Sequence, residues 1–147
     1  MRLLVTSSRN FVFPTIIRKA VLRVERELGD PWALSHKNVL AHGAARGGDI
    51  ITAGIVKELG WTTQPYKVTS AQWRASRGAG YARNAEMVED GADFFLAFLM
   101  PCSDVKCKFN YPHESHGATH CLELARKAGI PRRVYRFSLR ERERSWK

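Results

Sequence analysis

Asp93-Phe94-Phe95-Leu96-Ala97-Phe98-Leu99-Met100 is a nearly unbroken apolar run, the pattern of a strand buried on both faces. Around it the chain alternates short strand-like runs with helical periodicity. Arg2 to Thr6, Asn38 to His42, Thr62 to Tyr66 and Arg133 to Phe137 read as four further strands. Ile16, Ile17, Ala20, Val21, Val24 and Leu28 recur at helical spacing, as do Ile50, Ile51, Gly54, Ile55 and Leu59. Two more helical faces follow, one through Tyr81, Ala82, Ala85 and Val88 and one from Ala118 through Cys121, Leu122, Ala125 and Ala128. Pro14 suits the first turn of the first helix, and Gly29, Gly60, Gly91 and Gly129 supply stops. Asp30 to Lys37 reads as a connector. Lys67 to Gly80 reads as the longest irregular segment, of a length typical of lids and binding loops. This alternation predicts an α/β domain over residues 1–137, with a mostly parallel five-stranded sheet, and a basic tail over 138–147.

In such a sheet the ligand site lies beyond the carboxyl ends of the strands. The loops after Thr6, His42, Tyr66 and Met100 all fall on that edge. The richest is His42-Gly43-Ala44-Ala45-Arg46-Gly47-Gly48-Asp49. Glycines let backbone amides approach a ligand, and the first turn of a helix presents unpaired N–H groups, so strand, glycine loop and helix together make an anion site. The same pattern also serves as a plain strand-to-helix connection. Ser7-Ser8-Arg9 is a second turn of this kind, or a surface loop. Asp49 stands in a helix's first turn, where it complements the dipole, orders the loop or meets a ribose hydroxyl. Trp73 stacks on a base or anchors its loop, and Arg83 and Asn84 lie close by in sequence. The dinucleotide fingerprint G-x-G-x-x-G is absent from the first turn, which argues against an ordinary dehydrogenase.

Composition narrows the class. The 147 residues, 44% hydrophobic and 26% charged, suit one soluble domain with a real core. No apolar run approaches the roughly 20 residues that span a bilayer, and the N-terminus is too short for a secretory signal, so a cytoplasmic protein without a membrane partner is expected. Three cysteines argue against a disulfide framework. Half of the +10 net charge falls between Arg132 and Lys147. That segment reads as a solvated or partner-facing arm, with nucleic acid as an alternative partner.

Four stretches, Thr6-Ser7-Ser8-Arg9, His42 to Asp49, Arg83-Asn84-Ala85-Glu86-Met87 and Ser115-His116-Gly117-Ala118-Thr119, occur in an order that resembles the SLOG superfamily. The likeness is to its YspA-related branch of actinobacterial or actinophage type, and it runs to about Val134. It implies a Rossmann-like three-layer sandwich that binds nucleotides or nucleotide-derived ligands, with host cytoplasm as the location if phage-encoded. Homodimers occur among related domains and are expected as one partner. The superfamily also holds the lonely-guy enzymes, which hydrolyse the N-glycosidic bond of nucleoside monophosphates. Three departures stand out, the first being that the Arg-Lys pair of the lonely-guy enzymes is here Arg83 followed by Asn84. Ser7 occupies a position usually held by glycine, and the lonely-guy catalytic glutamate falls on Cys121, with Glu123 two positions late.

The leading expectation is therefore binding or sensing of a nucleoside phosphate, ADP-ribose or a similar molecule. Arg9, Arg46 and Arg83 would pair with phosphates. Gly43, Ala44, Gly47 and Gly117 would offer amides, Ser8, Ser115 and Thr119 hydroxyls, and Asp49 or Asn84 would read ribose. The alternative is an N-glycosidic hydrolase with Asp49, Glu86 or Arg83 as catalytic candidates. A third reading is single-stranded nucleic acid bound through the tail and Trp73. Separately, Cys102, Cys107, His113 and His116 form a Cys-x4-Cys-x5-His-x2-His pattern within one loop. Two thiolates and two imidazoles satisfy structural zinc, although packed thiols, a surface histidine or a His116 committed to the phosphate loop fit the same residues.

Overall fold

The long apolar run is β4 (Phe94–Leu99), and all six of its residues are buried. Alternate side chains of a strand face opposite layers, so such a strand needs cover on both sides. The computed structural model describes residues 1–29 and 37–137. In it β4 lies between β1 (Arg2–Ser7) and β5 (Arg132–Arg136), while β2 (Val39–His42) and then β3 (Thr62–Pro65) extend the sheet beyond β1. The order is β3-β2-β1-β4-β5 and every neighbouring pair is parallel. The expected mostly parallel sheet is thus wholly parallel.

Two helices cover each face. Leu3, Val5, Leu96 and Phe98 meet Ile17, Val21 and Val24 of α1 (Pro14–Leu28) and Ala53 and Val56 of α2 (Gly48–Glu58). On the other face Leu4, Phe95, Ala97 and Leu99 meet Met87 and Val88 of a helix spanning Ala79–Glu89 and Cys121 and Ala125 of one spanning His116–Lys127. The result is a Rossmann-like three-layer sandwich. Burying a leucine- or phenylalanine-sized side chain contributes about 1.5–3 kcal/mol, so both faces of β1 and β4 are the main source of cohesion.

The segment from Lys67 to Gly80 differs from expectation. It contains α3 (Ser70–Ala75), which makes Ala79–Glu89 α4 and His116–Lys127 α5. A capping box starts α3: the Thr69 hydroxyl accepts from Gln72 N, and the Gln72 side chain accepts from Thr69 N. No residue of α3 is buried. It therefore leaves no apolar periodicity for a pattern reading to find. Residues 30–36 of the expected connector, all of it but Lys37, and the tail over 138–147 lie outside the described residues. Among the described residues, no helix is long and apolar enough to cross a membrane.

The topology defines the crevice. The chain passes from β1 to β2 on one side and returns from β3 to β4 on the other, so the carboxyl ends of β1 and β4 flank a switch point.

Candidate functional site

At the switch point the end of β1 is bonded to everything around it. Ser8 N donates to Phe98 O (2.8 Å), and the Ser8 hydroxyl accepts from Met100 N (2.8 Å) while sharing a hydrogen bond with the Ser115 hydroxyl. Ser115 immediately precedes α5. One buried serine thus joins β1, the end of β4 and the start of α5. Its neighbour Ser7 points to the opposite layer and donates to Asp49 Oδ1 at 2.8 Å.

Asp49 orders the glycine loop. Its Oδ2 accepts from Gly43 N (3.1 Å) and Ala45 N (3.4 Å), and the residue is only 3% exposed. Burial pushes its carboxyl up to about 6, against the opposing pull of the Ser7 hydroxyl, the loop amides and the Arg83 charge. Ala44, at φ 56, donates its amide to His42 Nδ1 (3.0 Å). His42 is itself buried, and burial together with the positive Lys57, Arg83 and Lys67 lowers it to about 4. The neutral ring keeps Nδ1 free to accept.

The amides of Gly43 and Ala44, expected to face a ligand, therefore donate to Asp49 and His42 instead. The loop is pre-organised from within, and its outward donors begin further on. α2 opens after Gly47 with no side-chain cap on its first turn, which leaves amide hydrogens there to be satisfied from outside.

Two glycines let the first and second loops touch. Gly47 sits at φ 80, and a Cβ there would lie 2.2 Å from Arg9 O; a Cβ on Gly48 would lie 2.5 Å from the Ser7 side chain. Arg9 and Arg46 are exposed, and neither pairs with a carboxylate among the described residues.

α4 ties in the remaining loops. Arg83 Nη1 donates to Gly43 O and to Tyr66 O (3.2 Å), bridging the ends of β2 and β3. Its Nε donates to Asn84 Oδ1 (3.0 Å). Burial lowers the Arg83 guanidinium from its ordinary value, with the Arg9 charge adding to that and Asp49 opposing it. Asn84 is 2% exposed and donates to Gly117 O (3.1 Å), near His120 Nδ1 (3.3 Å). The His120 ring stacks on Tyr81 with centroids 4.2 Å apart. Arg9, Gly47, Arg83, Asn84, Ser115 and Gly117 are thereby brought to one rim.

The remaining candidates differ in exposure. Gly117 and Thr119 are exposed at the start of α5, and a Cβ on Gly117 would meet nothing within 4 Å. The Trp73 ring packs on Gly80 of α4 and remains 44% exposed. Glu86 is exposed and lines a cleft of about 620 Å³ between the β3–α3 connection and α4, together with Tyr66, Lys67 and Arg83. Cys121 is fully buried, and burial pushes its thiol up to about 12.

Cys102, Cys107, His113 and His116 come together in the β4–α5 loop, with one donor atom of each within 4.8 Å of the others. Cys107 Sγ lies 3.3 Å from His113 Nε2 and 3.5 Å from His116 Nε2, and Cys102 Sγ lies 3.7 Å from His116 Nε2. The two Nε2 atoms are 2.9 Å apart.

Ser7 and His42 fall within stretches that pattern reading singled out, but it gave neither a role in the site. Each stands at the last position of a buried strand and is polar. A polar residue where a buried strand ends is a usable signal, because it must find a partner there.

No protein-family model and no solved structure matches the chain. It is similar to the Gene 61 protein of Mycobacterium phage D29, with 34% identity over 134 residues that span 88% of this chain and 92% of that protein. On that identity and coverage the chain belongs to the family of that phage protein.

Proposed function

We propose that the protein binds a nucleotide-derived anion, such as a nucleoside phosphate or ADP-ribose, at the carboxyl rim between β1 and β4. In this reading it is a SLOG-type domain. One observation carries the reading: loops from four separate parts of the chain are bonded into a single rim. Arg9 lies against Gly47, Arg83 holds Gly43, Asn84 holds Gly117 and Ser8 holds Ser115. Arg9 and Arg46, without a carboxylate partner among the described residues, are suited to phosphate oxygens. The uncapped first turn of α2 supplies amides for the same charge.

Binding takes precedence over glycosidic hydrolysis in this reading. Both Asp49 oxygens are engaged inside the loop, and Cys121 offers neither a carboxylate nor access. A retaining or inverting hydrolase needs a carboxyl group at the sugar. Glu86 alone among the carboxylate candidates is solvent-facing.

The test is a thermal-shift and calorimetric screen against AMP, ADP, ADP-ribose and NAD. A ligand at a hundredfold excess over its dissociation constant stabilises by about 2.7 kcal/mol, which for a domain of this size raises Tm by roughly 5–10 °C. No shift with any of the four, and no heat of binding, would defeat the reading.

A further inference from the structure

We propose that Cys102, Cys107, His113 and His116 bind one zinc ion in a closed structural site that holds the β4–α5 loop. Geometry is the first ground. Zinc bonds of roughly 2.3 Å to sulfur and 2.0–2.1 Å to nitrogen, directed to the corners of a tetrahedron, place sulfur and nitrogen about 3.5 Å apart and two nitrogens about 3.3 Å apart. Three of the four sulfur–nitrogen separations are 3.3, 3.5 and 3.7 Å, the nitrogen pair stands at 2.9 Å, and all four donor atoms lie within 4.8 Å of one another. The four side chains converge with separations close to those of such a figure.

Ring orientation is the second. His113 Nδ1 lies 2.8 Å from Tyr111 O. Donation to that carbonyl places the ring proton on Nδ1 and leaves the Nε2 lone pair aimed at the cluster, the arrangement that fixes metal-bound imidazoles. His116 turns its own Nε2 to the same point, stacked on His113 at an interplanar angle of 17°. Phe109 stands edge-on to both rings, with centroids 5.4 and 5.9 Å away.

Burial is the third. From Pro101 to Asn110 only Cys102 and Cys107 are partly buried, and in the following stretch the shielding resumes at His113. Val105 is 96% exposed, and Phe109 and Tyr111 are each 56% exposed. The loop has no apolar interior. The cysteines and histidines are what it encloses, and its ends are closed by Cys102 N donating to His113 O (2.8 Å) and by the Pro101–Glu114 bridge.

Sulfur and imidazole donors select zinc over magnesium or calcium. Two thiolates neutralise the dication, and four protein ligands leave no open position, so the ion's role is mechanical. Binding releases the two thiol protons to solvent. His116 is the first residue of α5 and adjoins Ser115, so the ion would hold the start of that helix against Ser8 at the end of β1.

The experiment measures metal in the full chain purified without chelator, then titrates chelator-stripped protein with cobalt(II). About one zinc per chain is expected. Cobalt should give the intense visible bands of a tetrahedral site with thiolate charge transfer. Cys107→Ser and His113→Ala should each retain at least tenfold less zinc at matched free metal. Circular dichroism of every sample reports whether the domain is folded. Folded wild-type protein holding less than a tenth of an equivalent after incubation with excess zinc would overturn the proposal. So would a cobalt complex with only weak octahedral absorption, a result that does not depend on any variant folding.

Discussion

The Arg83 guanidinium lies across the backbone of Gly43 so closely that a methyl group on that glycine would stand 2.6 Å from Nη1. The contact holds the ends of β2 and β3 together, because the same nitrogen reaches Gly43 O and Tyr66 O. Gly43→Ala should push the guanidinium off both carbonyls and cost about 1–3 kcal/mol, the usual range for overpacking. Urea denaturation of Gly43→Ala, Arg83→Ala and the double variant measures the coupling. If the two losses simply add, the contact is not what makes Gly43 necessary.

The two buried titrating groups of the glycine loop should oppose each other. Asp49 is raised from 3.8 to about 6, so its contribution to stability is full below pH 3.8 and is lost as pH rises through 6. His42 is lowered from 6.5 to about 4, so its contribution is full above pH 6.5 and is lost as pH falls through 4. Each difference corresponds to roughly 3 kcal/mol at most. Between pH 4 and 6 the slopes have opposite sign. Relative to wild type, Asp49→Asn should gain stability as pH rises through that window and His42→Gln should lose it. Urea midpoints at three pH values provide the check, and parallel profiles for the two variants would count against it.

Arg9 and Arg83 should separate binding from stability. Arg9 is exposed and makes no ion pair among the described residues, so Arg9→Ala should leave folding within about 0.5 kcal/mol. Loss of a charge-assisted bond to phosphate should nonetheless weaken ligand binding by roughly tenfold or more. Arg83→Ala should damage both, because its partners are backbone carbonyls. Calorimetry beside urea melts makes the comparison; equal destabilisation by the two would remove Arg9 from the site.

Metal removal should loosen one segment and spare the sandwich. Ordering a residue costs about 1–2 kcal/mol of backbone entropy, and the loop over 101–115 recovers little of this by apolar burial. Structural zinc supplies about 10–16 kcal/mol in small domains, the right scale to offset it. Chelated protein should be cut by trypsin after Lys106 or Lys108 while the remainder resists, and zinc should restore protection. Equal cleavage rates with and without zinc would contradict this.

Much of the architecture was legible because each of its cues is local. The run over 93–100 could only be a doubly covered strand, and Pro14 with Gly60, Gly91 and Gly129 punctuated the helices where the structure has them. The Cys/His cluster was legible as spacing alone. α3 was missed because a single exposed turn has no buried face, although Thr69-x-x-Gln72 carried its capping signal. The inward turn of the Gly43 and Ala44 amides was not legible either. It depends on buried His42, which accepts from Ala44 N, and on Asp49, which accepts from Gly43 N and is bonded to Ser7, a partner 42 positions away in sequence.

Phe137 follows the last strand, donates its amide to Leu99 O and stacks on Phe13 at 4.7 Å. Because β5 runs alongside β4 in the same direction, the polypeptide is released from the sheet on the side where the loops gather. Phe137, the last described residue before the arginine-rich stretch, therefore stands at the same edge of the sheet as the loops that form the crevice.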